Sequence, residues 1–231
     1  MKKTLYLVAG ARPNFMKIAP IVRALDARRD AFDYRIVHTG QHYDREMSDV
    51  FFEELGIPKP DFHLEAGGGS HATQTAKIMV AFEEICQRQR PDCVLVVGDV
   101  NSTLACSIVA KKLHIPVAHV EAGLRSGDLR MPEEINRLVT DSISDWFFVT
   151  EPAGQANLLR EGKREDQVFF VGHVMVDNLF YQRDRLEHAD RSGFESEALK
   201  QRLGRYGVVT MHRPSNVDDR ETLAGIAGAL R

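Results

Sequence analysis

Short apolar runs separated by amphipathic stretches recur along most of this chain, and their spacing alternates between two periods. Residues 3–9, KTLYLVA, have the length and apolar character of a first strand, and Ile18, Ile21, Val22 and Leu25 follow at helical spacing. Residues 33–39, DYRIVHT, predict a second strand, ending in GQHYD. Residues 44–55 predict a helix closed by Gly56 and Pro58. The loop EAGGGS leads to a helix from about residue 72 to residue 90, striped by Ile78, Phe82 and Ile85.

The stretch from Val94 to Arg137 is the centre of the pattern. Its two β-branched runs, VLVV and PVAHV, are bounded by Gly and Pro and suit strands buried on both faces. Between them Asn101 is expected to cap a helix with Leu104, Ala105, Ile108 and Val109 on one face. This is a β-α-β unit, whose crossover is almost always right-handed. A helix after Glu133 turns Ile135, Leu138, Val139 and Ile143 inward, followed by strand DWFFVTE, helix PAGQANLLREG and strand QVFFVG. Strands alternating with helices specify an α/β fold, a Rossmann-like parallel sheet with helices on both faces.

Near Gly172 the rhythm loosens, which divides the chain into residues 1–171 and 172–231. The segment 173–204 is polar and helical with weak caps. A fresh strand, YGVVTM, is then expected, ending in HRPSN, with a helix from about Asp219 that has Leu223, Ile226, Ala227 and Leu230 on one face. The order strand, HRPSN, helix echoes the opening strand, ARPN, helix. An amphipathic helix that reaches Arg231 uncapped is expected of a chain that stops inside a second, similar domain.

Composition narrows the function classes. The net charge is −3 over 231 residues with no dense basic run, so a nucleic-acid footprint is absent. No apolar stretch approaches the ~20 residues of a membrane helix. MKKTLYLVAGARP mimics a secretory signal, but its apolar run, Leu5 to Val8, is short and continues into a helix, so the strand reading is preferred. Cys86, Cys93 and Cys106 form no CxxC pair and read as buried thiols of a reducing compartment. A cytoplasmic protein is expected.

In open parallel sheets ligands bind beyond the carboxyl ends of the strands. Asp99 and Glu121 end VLVVGD and VAHVE, and Glu133 opens the next helix. Asp99 alone has the look of a turn former, and Glu133 after Pro132 suits a helix dipole. Glu121 has neither excuse, and three carboxylates gathered at one sheet edge point to acid–base chemistry. The first loop, Gly10-Ala11-Arg12-Pro13-Asn14, has one glycine and lacks GxGxxG, which weakens a dinucleotide reading, and no GxxxxGK[ST] is present. Arg12 and Lys17 beside a helix N-terminus instead make an anion site, although Lys17 fits a solvated helix position equally well. His212, at a strand's end beside Arg213, tilts towards function. His38 and His42 do not share a helix face, and no zinc motif supports them.

Together these residues resemble the non-hydrolysing UDP-N-acetylglucosamine 2-epimerases. The resemblance is carried by RPNFMKIAP, GQH, PDCVLVVGDVNSTLA, HVEAGLRSGD, MPEEINRLVTD, VGHVMVDNL and HRPSN, in the family's order along nearly the whole chain. It implies the N-terminal half of a GT-B-like two-domain enzyme with the active site in its cleft, acting on a UDP-sugar. The implied reaction inverts the second sugar carbon, interconverting UDP-GlcNAc and UDP-ManNAc through elimination of UDP to a 2-acetamidoglucal. Asp99, Glu121, Glu133 and His212 match the family's catalytic positions, and Arg12, Lys17, Gln41 and Arg213 its substrate-binding ones. No cofactor, metal or membrane is implied, and a homodimer is. Departures are Asn14 where the family commonly has Glu, Pro214 and Ser215 within HRPSN, and YDREM after GQH, which bears on an allosteric UDP-GlcNAc site. The competing readings are a diacetamido uronic acid epimerase, a GT-B glycosyltransferase, and a catalytically silent dimerisation module.

Overall fold

The computed structural model describes residues 2–40, 52–211 and 214–230. Its sheet contains β1 (Lys3–Ala9), β2 (Phe32–His38), β3 (Phe62–His63), β4 (Cys93–Val97), β5 (Val117–Val120), β6 (Trp146–Val149) and β7 (Val168–Phe170). The order is β3-β2-β1-β4-β5-β6-β7, and every pair is parallel. The chain leaves β1 towards β2 on one side and returns on the other side with β4, which makes the β1/β4 boundary a topological switch point. The α/β expectation holds, and β1 falls on the residues expected. The two-residue β3 is too short to leave a periodic signature.

The helices are α1 (Arg12–Asp26), α2 (His71–Arg88), α3 (Asn101–Lys112), α4 (Pro132–Ile143), α5 (Pro152–Arg160) and α6 (Val174–His188). Successive strand residues point to opposite faces, and two cores follow. Tyr6, Val8, Val94 and Val96 pack under Ile78 and Phe82 of α2 and Ala105 and Val109 of α3. Leu7, Ala9, Leu95 and Val97 pack under Phe15, Ile18 and Val22 of α1. Because α3 also touches α2 and α4, it is buried almost all round and needs small residues. Ser107 returns its hydroxyl to the Thr103 carbonyl at 2.7 Å, and Thr103 donates to the Val97 carbonyl at 2.9 Å.

Asn101 is not the cap of α3. Val100 holds that position without a side-chain bond, and the Asn101 amide donates across to Gln74 at 2.6 Å. A tertiary partner has taken the side chain that local reasoning gave to the backbone. Of the helix expected over 44–55, residues 52–55 are helical and 44–51 lie outside the described residues.

The chain forms two compact units, dividing between Asp184 and Arg185 within α6. In the first unit the start of α6 is fixed to α1. Arg23 donates to Asn178 at 3.0 Å and stacks 3.8 Å over the Tyr181 ring. The second unit holds α7 (Glu195–Leu203), α8 (Pro214–Val217) and α9 (Arg220–Ala229). Asp219 caps α9 by accepting from the Thr222 amide at 2.8 Å. The strand expected at 206–211 is not formed: a strand needs a ladder partner, and those residues have none among the described residues.

Candidate active site

The switch point is held together by close backbone approach. A side chain at Gly10 would run into the Ser102 hydroxyl and come within 2.8 Å of Thr39 Oγ1. Those two hydroxyls are themselves 2.7 Å apart. Gly10 is therefore needed so that the ends of β1 and β2 can meet the first turn of α3. Asn14 is buried and accepts from the amides of Gly10 and Ala11 at 3.2 and 2.9 Å while donating to the Val97 carbonyl at 3.2 Å. It ties the first loop to the end of β4. Here an amide can both donate and accept, whereas the glutamate common in the resembling family could only accept when ionised.

Over Gly98 the structure brings Lys17 and Glu121 together as an ion pair, both side chains largely buried. A side chain at Gly98 would lie 2.8 Å from Lys17 Nζ, 3.5 Å from Glu121 Oε2 and 3.6 Å from Asn14 Nδ2. Lys17 is thus not the solvated position that the sequence left open. Glu121 has φ +70°, a left-handed conformation that costs a non-glycine residue ~1–2 kcal/mol. A carboxylate kept in a strained backbone, where glycine would relax it, is a feature of functional sites.

Asp99 is held from α4. Arg137 donates to Asp99 Oδ2 at 2.5 Å, and Asn136 donates to the Asp99 carbonyl at 2.8 Å. The same guanidinium donates at 2.7 Å to Glu134, which is 2 % exposed. Glu134 also accepts from the Ser126 and Gly127 amides, each at 3.0 Å. Burial acts to raise its pKa, but those amides and Arg137 prevail and bring it down to about 2. Glu133, in the first turn of α4, is half-buried, and its side chain makes no hydrogen bond or ion pair among the described residues. Among the described residues no hydrogen bond or ion pair joins its side chain to Asp99 or Glu121.

Behind this edge lies a buried charge network. His119 is fully inaccessible and faces Asp141 Oδ1 at 2.7 Å and the Gly98 carbonyl at 2.8 Å. Each ring nitrogen thus meets an oxygen, one on Asp141 and one on the backbone. Asp141 also accepts from the Gly123 amide at 3.0 Å and from Arg125 at 2.7 Å. Burial raises the Asp141 pKa, and His119 and Arg125 more than reverse this, leaving it below the usual carboxylate range. One network thereby fixes the turn after β4 and the turn after β5, which carry Asp99 and Glu121.

Arg12 is exposed at the first position of α1, where a helix N-terminus and a guanidinium both favour an anion. Gln41, His212 and Arg213 lie outside the described residues, as does His42. His38 is buried and stacked on Phe15, and accepts from the Gly40 amide at 2.8 Å. Burial pushes it down to about 4, so it packs as a neutral ring. Sequence reasoning missed Arg137, Glu134, Asn136, His119 and Asp141. The i, i+3 spacing of Glu134 and Arg137 was a usable signal, but nothing local marks Asp99 as their third member. Chemically, the carboxylates lie in three environments: Glu121 on an ammonium, Asp99 on a guanidinium, and Glu133 with no side-chain partner among the described residues.

A family model described as UDP-N-acetylglucosamine 2-epimerase matches residues 23–231. The UDP-N-acetylglucosamine 2-epimerase of Methanocaldococcus jannaschii is 43% identical over 228 residues, covering 98% of this chain and 61% of that protein. A UDP-2,3-diacetamido-2,3-dideoxy-D-glucuronate 2-epimerase of Pseudomonas aeruginosa is 41% identical over 229 residues, covering 96% and 61%. A crystal structure of the Methanocaldococcus jannaschii UDP-GlcNAc 2-epimerase in complex with UDP-GlcNAc and UDP superimposes with a TM-score of 0.83 at 41% identity, over 98% of this chain and 61% of that one. The chain spans about three fifths of the length of these relatives.

Proposed function

Since this chain belongs to the UDP-N-acetylglucosamine 2-epimerase family, we propose that the protein as encoded inverts the second sugar carbon of UDP-GlcNAc to give UDP-ManNAc. The observation that carries the reading is the Lys17–Glu121 ion pair over Gly98, beside the clamped Asp99, at the mouth of the sheet. A base removes the proton from C2, whose bonding pair becomes the C1=C2 double bond of a 2-acetamidoglucal. The anomeric C–O bond breaks and its electrons leave on the diphosphate of UDP. A proton then returns to the opposite face of C2 as the UDP oxygen re-forms its bond to C1.

Asp99, Glu121 and Glu133 divide the acid and base tasks, and carboxylates in differing surroundings suit such a division. Glu133, whose side chain has no partner among the described residues, is left to meet the substrate directly. Arg12, Lys17, His212 and Arg213 stabilise the departing diphosphate, with Gln41 a further substrate contact. The chemistry calls for no cofactor and no metal. Residues 172–231 serve as the connection and the start of the UDP-binding half, and the protein works as a homodimer in the cytoplasm. Among the described residues no helix is long and apolar enough to cross a membrane.

The test is turnover of UDP-GlcNAc by the encoded protein in D₂O. UDP-ManNAc bearing deuterium at C2 is expected, and product without it sinks the elimination mechanism. Glu121→Gln should lower turnover by ~10²–10⁴-fold with the melting transition barely moved. A second reading, supported by the Pseudomonas aeruginosa relative, takes a UDP-diacetamido uronate as substrate with the same C2 chemistry. Turnover of that sugar and none of UDP-GlcNAc would select it.

A further inference from the structure

We propose that Arg137 is a positioning residue for this reaction, holding Asp99 against α4 so that one carboxylate oxygen stays aimed into the site. The inference rests on the functional reading above and adds a residue to it.

The geometry is that of a fork with one prong on a fixed post and the other on a reactive group. Nη1 of Arg137 donates to Glu134 and Nη2 to Asp99, at 2.7 and 2.5 Å. The post is rigid, because Glu134 is buried and its oxygens also take the Ser126 and Gly127 amides. A planar guanidinium has its donors in fixed relation, so anchoring one fixes the direction of the other. Asp99 is meanwhile gripped at its carbonyl by Asn136, the neighbour of Arg137 on the same helix. Asp99 follows Gly98, whose φ of +68° marks a turn with no side chain of its own to lock it. Backbone and side chain of Asp99 are both referred to α4, and α4 also carries Glu133 in its first turn. Only Oδ2 of Asp99 is engaged by the guanidinium.

Arg137 is 15% exposed at its side chain, so it is not a surface ion pair of negligible value. It can be replaced by neither of the obvious alternatives without loss. Methionine fills the volume but leaves both carboxylates without the fork. Lysine keeps a cation beside Glu134 but is a point donor on a flexible stem and cannot hold two directions at once.

The experiment compares wild type, Arg137→Met, Arg137→Lys, Asp99→Asn and the Asp99→Asn/Arg137→Met double variant of the encoded protein, with kcat, KM and thermal melts for each. Arg137→Met is expected to lower kcat by ~10²-fold with KM within about 3-fold, and Arg137→Lys to fall between it and wild type. Because Arg137 acts through Asp99, the double variant should be no slower than Asp99→Asn alone, as residues acting as one unit are non-additive. Losses that multiply in the double variant overturn the proposal, as does a kcat that falls only in step with the folded fraction. Should Arg137→Met fail to fold, Arg137→Lys replaces it in the same cycle, and the same two results overturn the proposal. A wild type inactive on both UDP-sugars named above defeats the functional reading. An active wild type with no Arg137–Asp99 coupling defeats only this inference.

Discussion

In the unit that ends at Asp184, Glu134, His119 and Asp141 are nearly inaccessible to water, and each is bonded through both its polar side-chain atoms. In the unit from Arg185 none of the described residues is buried: its Lys200–Glu197 pair is only partly covered and its Asp219 cap is exposed. The two regions use the same interactions at similar distances. What differs is the medium. Water screens and replaces an exposed pair at little cost, whereas a buried charge stripped of its partner has nothing to replace it. The energetic weight of a hydrogen bond therefore follows its burial, and the bonds that hold the turns of Asp99 and Glu121 belong to the first region.

That comparison is broken most directly at Asp141. Asp141→Asn leaves His119 and Arg125 facing a neutral amide inside the network, and should destabilise the chain by about 3–5 kcal/mol in urea unfolding. A loss under 1 kcal/mol would mean that the network adds nothing beyond shape. Gly123→Ala comes next. Its φ is +80°, and a Cβ would strike the Gly154 carbonyl group, the carbon at 2.7 Å. Left-handed strain and overpacking together should cost about 2–5 kcal/mol, seen as a lower melting midpoint with α5 loosened in hydrogen exchange.

Acid sharpens the same contrast. The folded Glu134 pKa, about 2, lies below its ordinary 4.5, so the stability it contributes is present above pH 4.5. That stability is lost as pH falls through 4.5 towards 2, and amounts to on the order of 3 kcal/mol. Glu134→Gln should flatten this limb of a stability–pH curve, and an unchanged slope would refute the assignment. The smallest effect belongs to the second unit. Val208 is 78% exposed, and in this 231-residue chain Val208→Ser should change unfolding free energy by no more than about 0.5 kcal/mol.

Much of the architecture was legible in the residues themselves. The strand period of two and the helix period of 3.6 are local properties, so β1, β2, β4, β5 and their helices could be read from apolar spacing. The carboxyl-edge rule then placed Asp99 and Glu121 at the mouth of the sheet before any coordinates. The same locality explains the failures. Residues 206–211 have a strand's pattern but no neighbour to pair with among the described residues, and Asn101 has a cap's chemistry but a better partner in Gln74.

Partnership was decided by the tertiary structure alone. Lys17 could be read as a solvated helix residue until parallel pairing of β1 with β4, and of β4 with β5, set it against Glu121. Arg137 is separated from Asp99 by 38 positions, and no pattern within either segment reports the other. His119 reads as one more strand residue until its two nitrogens are seen between Asp141 and Gly98. Periodicity arises from backbone geometry, which each segment carries with it. A charge's partner, and so its energetic value, depends on which segments the fold brings together and how much water it leaves between them.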